Sequence, residues 1–317
     1  MTGSVLCAGL VVADHVSSPI SHLPAAGELV LADQLLLTIG GCAANVAVDL
    51  TRLGVPATVV GCVGDDIFGR IVADMLRENQ VNVSGLRVKA GLGTSQTLIV
   101  NVAGQDRRFI HTFGANAVFE PGDIPLDTPG CGILYLGGYF VLDGVEPARL
   151  AEVFRAARAR GIRTVLDVVI PGPAEYLSRL APVLPEVDVF MPNDHEAHLI
   201  TGLDDPLAQA ERFHAMGART AIVTMGDRGT ILVSDGLRLR ADTYRDMPFV
   251  DGTGGGDAFA AGFMAGLLRG WSPEECLRIG SAVGASCVRA IGTTTGVFTK
   301  QECDDFLARH PLRIERV

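Results

Sequence analysis

The chain has 317 residues, 48% of them hydrophobic and 20% charged, which is enough for a large core and argues against disorder. A formal net charge of −10 argues against general nucleic-acid binding, which needs a basic footprint, but not against an anionic ligand, because backbone amides hold phosphate without net positive charge. Seven cysteines, none spaced CxxC, read as reduced buried thiols of a cytoplasmic protein.

The N-terminal stretch MTGSVLCAGLVVADH has no basic start and meets an acid at Asp14, so it reads as a strand rather than a leader. No apolar run reaches the roughly 18 residues that a membrane helix needs. Buried strands are predicted over Val5–Val12, Ala57–Val63, Ile133–Leu136, Thr164–Val169, Val187–Met191 and Ala221–Met225. Helices are predicted between them, over Cys42–Leu53, Ile67–Gln80, Pro147–Arg160, Asp194–Thr201 and Leu207–Met216. A hairpin (Thr230–Val233, Leu237–Arg240) and two long helices (Ala258–Leu268, Pro273–Ala290) follow. Such alternation implies one α/β domain over 1–317, doubly wound on a mostly parallel sheet. Residues 15–38 and 92–119 are extended and lack helix partners. They read as a small β lid standing off the sheet, or as an extension of the sheet itself. Lid strands have open edges, which proteins usually cover, so a homodimer through these segments is expected.

The stretch DGTGGGDAF, residues 251–259, sets four glycines ahead of an acid and a helix. Glycines before a helix gather free N–H groups at the positive end of its dipole, which suits phosphate. A Walker A loop needs GxxxxGK[ST], and the only two lysines, Lys89 and Lys300, follow no such loop. A dinucleotide fingerprint from Gly252 would need glycine where Asp257 stands. An acid at an anion hole is useful if a hydroxyl must lose its proton while attacking a phosphoryl group. Asp257 would then be the base, with the amides of Gly254, Gly255 and Gly256 steadying charge. A glycine-rich helix start, with Asp257 merely favouring the dipole, also fits this stretch alone.

A second motif, GGCAANVAVDLTRLG at 40–54, sets a glycine pair before a helix with Asn45 in its first turn. With DGTGGGD it resembles the two signatures of the ribokinase (PfkB) carbohydrate kinases. GLVVADH (9–15), GCVGDDIFG (61–69), MPNDHEAHLITG (191–202) and VTMGDRGT (223–230) resemble further segments of that family, in order along nearly the whole chain. The resemblance implies a ribokinase-like α/β core with a β lid, and transfer of phosphate from ATP, with Mg²⁺, to a hydroxymethyl group of a small sugar-like molecule. It implies Asp257 as base and 254–256 as anion hole, with Asp14, Gly40, Gly41 and Asn45 on substrate hydroxyls. Thr224, Gly226 and Gly229, along with Asn193, Thr253, Gly254 and Gly256, would lie along the nucleotide. Asn193 and Glu196 would organise Mg²⁺ through water, which that ion gives up reluctantly. Asp251, Thr253 and the loop around Gly292 match a region where some relatives hold a monovalent cation such as K⁺.

The chain departs from that pattern at Cys42, where ribokinase carries lysine, at Ala43 and Gly255, and in DVVIPG from Asp167, where many relatives read D-x-N-x-R. These departures leave sugar and nucleoside acceptors open, with Phe109, Phe113 and Phe119 available as a wall for a base. In GQDRRFIHTFGAN (104–116), Arg108, His111 and Asn116 could reach an anionic substrate, or simply solubilise a hairpin. HEAH at 195–198 lacks the second histidine of a zinc helix, since residue 199 is leucine. A ligand-binding regulator on the same fold is the alternative outside enzymes. The single Trp271 is expected to pack between helices, ahead of Ser272 as cap and Pro273 as first helical residue.

Overall fold

The computed structural model describes residues 3–105 and 107–317. Met1, Thr2 and Asp106, the last of these in the expected lid segment, lie outside the described residues. The chain opens with β1 (Ser4–Gly9), β2 (Val12–Ser17), β3 (Leu35–Gly40), α1 (Cys42–Arg52), β4 (Ala57–Gly64), α2 (Ile67–Glu78), β5 (Asn82–Lys89), β6 (Gln96–Val100) and β7 (Arg108–Thr112). The middle supplies β8 (Cys131–Gly137), α3 (Pro147–Ala159), β9 (Arg163–Leu166), α4 (Leu177–Leu180), β10 (Val189–Phe190), α5 (Asp194–Thr201) and α6 (Pro206–Ala215). The last third holds β11 (Thr220–Thr224), β12 (Thr230–Ser234), β13 (Leu237–Ala241), α7 (Gly255–Leu268), α8 (Pro273–Cys287), α9 (Lys300–Arg309) and β14 (Ile314–Arg316).

These form a ten-stranded sheet, ordered β14-β13-β12-β11-β10-β9-β8-β1-β4-β5, and a separate four-stranded sheet, β3-β2-β6-β7, which is the lid. Pairing is parallel from β5 across to β11 and antiparallel from β11 to β14. Parallel strands need crossovers, and the crossovers lay helices on the sheet. β4 is buried at all eight positions, as a strand covered on both faces must be. No helix among the described residues is long and apolar enough to cross a membrane.

The expected strand Val5–Val12 is two strands in different sheets. A continuous apolar run carries no mark of the bend between them. The bend is made at Gly9, where φ is 125° and a Cβ would lie 2.1 Å from the Gly137 carbonyl oxygen, so only glycine fits. Buried Asn116 holds the junction, its amide donating to the Val11 carbonyl at 2.9 Å and accepting from the Val11 N–H at 3.3 Å. Residues 114–118 form a short 3₁₀ turn packed on β4, so the far end of the expected segment 92–119 belongs to the core. The strand expected over Thr164–Val169 stops at Leu166. The sequence reading also passed over β5 and α9; β5 is half-exposed and of mixed polarity, as an edge strand tends to be.

Helix α1 is buried from Cys42 through Leu50, sandwiched between the sheet and α7. Helix α7 packs closely on α8 because it carries Gly262 and Gly266 there. A Cβ on either would come within 2.9 Å of Ile279 or Cys276 atoms. That packing fixes the direction in which α7 presents its first turn. Trp271 sits under the Arg269 guanidinium, and Ser272 with Glu275 forms a full capping box behind Pro273.

Candidate functional site

In open α/β sheets ligands bind at the carboxyl ends of the strands. Here Gly9, Gly137, Asp167, Asn193 and Thr224 all lie at or just beyond such ends, beneath the lid. Helices α1 and α7 converge on the same place. Each begins on a left-handed glycine without a side-chain cap, Gly41 at φ 87° and Gly254 at φ 83°. Their first-turn N–H groups are therefore not taken by a capping side chain. α7 begins at Gly255, three residues earlier than its apolar run suggests, so Asp257 sits in its first turn.

Asn45 of α1 and Asp257 of α7 meet here, the amide Nδ2 donating to Asp257 Oδ2 at 2.8 Å. Asn45 Oδ1 is in turn 2.9 Å from the Thr293 hydroxyl, which lies 3.0 Å from the Ile39 carbonyl. Burial raises the Asp257 carboxyl above its ordinary range, and hydrogen bonds from Asn45 and the Cys42 thiol oppose this. Burial also drives the Cys42 thiol upward, reinforced by the charges of Asp257, Asp167 and Glu196, so it remains a protonated donor. Cys42, Asp167 and Asp257 bring ligand atoms within 4.8 Å of one another. Asp167 is raised by burial and by the charges of Glu196 and Asp257, and it accepts from the Tyr135 hydroxyl at 2.9 Å.

Asp14 lies on β2, its carboxylate pressed against Gly40. A Cβ there would fall 2.0 Å from Asp14 Oδ2, so any side chain at residue 40 would displace that carboxylate. Gly41 is equally constrained, since its Cβ would meet the Leu10 carbonyl at 2.6 Å. Strand register aligns Thr38, Asp14, Thr97 and His111 in one row across the lid. The Thr97 hydroxyl is 3.0 Å from His111 Nδ1. Burial pushes Asp14 up to about 6, with the Thr97 hydrogen bond opposing and the Asp257 charge reinforcing.

A cleft of about 570 Å³ opens on the other side of the glycine loop. Asn193, Thr224, Gly226, Gly255 and Gly256 line it, with Met247, Phe249, Phe259 and Val288 as apolar walls. A Cβ on Gly226 or Gly256 would meet nothing within 4 Å, so backbone faces open space there. Asn193 and Glu196 form a capping box at the start of α5: Asn193 Oδ1 accepts the Glu196 N–H, and Glu196 Oε2 accepts the Asn193 N–H, each at 2.9 Å. Glu196 is raised to about 7 by burial, with the Asn193 backbone opposing and the Asp257 charge adding to it. A carboxyl so disfavoured as an anion suits a nearby cation, which would lower it.

Several expected site residues lie elsewhere. Gly229 is absent from the cleft wall; its φ of 91° serves a turn packed on Ala241. Asn116 spends its side chain on the Val11 backbone. Arg108 is exposed and bonded to Gln105 at 2.6 Å, on the lid face opposite Asp14. Its neighbour Arg107 instead reaches the glycine loop, 3.3 Å from Asp251 Oδ1 and 2.5 Å from the Thr253 hydroxyl. Phe119 is wholly buried in the core, which leaves Phe109 and Phe113 from the expected aromatic wall. Asp251 accepts from Thr253 N at 3.0 Å through Oδ1 and from Gly292 N at 3.1 Å through Oδ2. Burial works against its charge, but these bonds, that of the Thr253 hydroxyl and Arg107 outweigh it, and the carboxyl stays below its usual range. His195 and His198 join no metal-binding cluster among the described residues. The sequence reading noted Cys42 and Asp167 only as departures and did not single out Tyr135, Thr97, Thr293 or Arg107. None of these four sits in a recognisable spacing.

The pfkB family carbohydrate kinase model matches residues 2–300. The chain belongs to that family. Its fold is the ribokinase fold: the ribokinase of Arabidopsis thaliana solved with ribose and ATP superposes with a TM-score of 0.83 at 24% identity, covering 98% of this chain and all of that one. The nucleoside kinase of Methanocaldococcus jannaschii superposes at 0.78 with 21% identity, covering 98% and 99%. Among curated relatives, the Haemophilus influenzae ribokinase is 28% identical over 309 residues, covering 94% of this chain and 96% of its own length. The cytidine kinase of Thermococcus kodakarensis is 30% identical over 284 residues, covering 86% and 92%. The chain is accordingly a kinase of the carbohydrate and nucleoside type.

Proposed function

We propose that this kinase transfers the γ-phosphate of ATP to a hydroxymethyl group of a neutral sugar or sugar derivative. The observation that carries this reading is the Asn45–Asp257 pair at the mouth of two uncapped helix starts. Asp257 accepts the proton of the attacking hydroxyl. Its burial raises its proton affinity above that of an ordinary aspartate, which suits a base working near neutrality. Asn45 and the Cys42 thiol hold the carboxylate in place for the acceptor hydroxyl. The amides of Gly254, Gly255 and Gly256 face the transferred group and steady its charge.

Asp14, Gly40, Gly41 and Asn45 hold acceptor hydroxyls in this reading. The side chains converging on Asp257 are carboxyls, an amide, a thiol and, through Asp167, a phenol. The carboxyls among them match hydroxyl donors, and their charge repels a carboxylate or phosphate on the substrate. With Arg108 turned outward, an anionic substrate loses its expected partner. The nucleotide occupies the cleft along Asn193, Thr224 and Gly226, its phosphates toward Gly255 and Gly256. Asn193 and Glu196 hold Mg²⁺ through water, and that ion neutralises phosphate charge when bound. A monovalent cation such as K⁺ at Asp251 and Thr253 would have to share or displace the Arg107 guanidinium bonded to both.

A nucleoside acceptor is the second reading, favoured by the 30% identity to a cytidine kinase and by half-exposed Phe109 on the same lid face as Asp14. The reading also makes the chain a cytoplasmic homodimer, joined through the outer lid face. Leu35, Leu98 and Ile110 lie there at 78, 41 and 67% exposure, an apolar surface of the kind proteins cover. Gel filtration at micromolar concentration tests the dimer, and a monomer would remove it.

The deciding experiment is acceptor-dependent ADP release with Mg-ATP, over pentoses, hexoses, keto-sugars, sugar acids, phosphorylated sugars and nucleosides. A neutral sugar should give turnover that Asp257→Asn abolishes. A nucleoside as the only active compound would overturn the sugar assignment. Turnover retained in Asp257→Asn would overturn the base.

A further inference from the structure

Arg107 lies in the β6–β7 connection of the lid, yet its hydrogen bonds to the glycine loop cross 144 and 146 residues of sequence. Its guanidinium donates to Asp251 Oδ1 at 3.3 Å and to the Thr253 hydroxyl at 2.5 Å. The Thr253 hydroxyl in turn donates a hydrogen bond to Asp251 Oδ1 at 2.6 Å. Asp251 is thereby a hub for three segments: the lid through Arg107, the glycine loop through Thr253, and the loop after α8 through the Gly292 N–H. That last loop continues into the site. The Thr293 carbonyl lies against Gly254, where a Cβ would come within 2.4 Å, and the Thr293 hydroxyl meets Asn45, which holds Asp257. A contiguous path of hydrogen bonds and backbone contacts therefore runs from the lid to Asp257 and to the first residue of the anion hole.

The lid contributes one end of that path. Asp251 is buried, so its charge draws on the donors around it. The Arg107 side chain remains 28% exposed and belongs to the lid, a sheet separate from the one that carries the glycine loop and Gly292. Lifting the lid would withdraw a charged donor from Asp251 and from Thr253, at the root of the loop whose amides face the transferred group.

We propose that Arg107 is a positioning residue that makes assembly of the 252–256 anion loop conditional on lid closure. It acts through Asp251 and Thr253 rather than on the acceptor. The proposal rests on the kinase reading for its purpose, and one arm of its test is independent of activity.

The test uses the full chain as Arg107→Ala and Arg107→Lys, with Arg108→Ala, whose side chain bonds only locally and points away from the site, as a neighbouring control. In wild type, backbone amides of 252–256 and 96–112 should exchange hydrogen slowly. In Arg107→Ala both segments should exchange faster while β1 and β4 are unchanged, and Arg107→Lys should restore part of the protection. With the active acceptor, Arg107→Ala should lower kcat by about 10- to 100-fold, as small misplacements of catalytic groups do, with the KM for ATP held within about threefold. Arg108→Ala should match wild type in both assays. Unaltered exchange in the loop of Arg107→Ala, or a kcat within about twofold of wild type, would overturn the proposal. If no compound is phosphorylated, the kinase reading fails and the exchange result alone decides whether the latch exists. Should Arg107→Ala fold poorly, the lysine variant carries the same comparison with the charge retained.

Discussion

Two of the kinds of helix start in this molecule contrast sharply. α8 and α9 open on capping boxes, Ser272 with Glu275 and Thr299 with Glu302, which occupy their free N–H groups with the chain's own side chains. α1 and α7 open on left-handed glycines that offer nothing in return. The first pair of starts lies outside the site; the second pair forms its centre. A capped start is satisfied and stable, whereas an uncapped one keeps its donors for a ligand. α5 is intermediate: its box is complete, yet the glutamate that closes it is raised to about 7 and is the residue proposed to organise the metal.

The contrast can be broken at either end. Asp257→Asn should have the largest effect, a fall in kcat of about 100- to 10,000-fold with circular dichroism unchanged. Gly254→Ala comes next. It forces a side chain into φ 83° and against the Thr293 carbonyl, so we expect about 1–3 kcal/mol lost in urea unfolding together with most activity. Asn45→Ala should lower kcat by about tenfold and also shift the pH profile. Burial raises Asp257 and the Asn45 hydrogen bond holds it down, so removing that bond raises it further. The acid limb of kcat should therefore move to higher pH; a limb that stays put would remove Asp257 from the titration.

The smaller effects concern stability. Asp49, one turn beyond Asn45 on α1, is wholly buried and neither carboxylate oxygen has a hydrogen-bond partner among the described residues. Burial, then the charge of Asp257, raises it well above the ordinary range, against the pull of Arg52. A group raised on folding contributes most below its unfolded pKa, and that contribution is lost as pH climbs through the folded value. Asp49→Asn should therefore gain stability over wild type as pH rises from about 4, by about 1–2 kcal/mol at pH 8, read from urea midpoints. Ser272→Ala should cost about 1 kcal/mol of stability and leave kcat and KM alone. A kinetic effect there would blur the distinction between the two kinds of start.

The strand–helix alternation was legible in the sequence, and so were the two glycine-led starts, because both rest on local spacing. Asn45 and Asp257 could be named for the same reason. Side chains whose role depends on facing were not legible. Arg107 and Arg108 are adjacent, and which one reaches the site is decided by where β7 begins and which face it turns inward. Asn116 has the composition of a binding residue but is consumed by a bend at Val11 that an unbroken apolar run conceals. Cys42, Asp167 and Tyr135 come together only because α1 begins where β8 and β9 end.

The contact between Asn45 and Asp257 spans 212 residues, and that between Asn45 and Thr293 spans 248. On a ribosome adding about 5–20 residues per second, Asn45 is made about 12–50 seconds before Thr293. Until residue 257 is added, the acceptor half of the site exists without its base or its anion loop. A nascent chain can thus begin to fold around its N-terminal strands without ever hydrolysing nucleotide, and catalytic competence becomes a report that synthesis has passed residue 293.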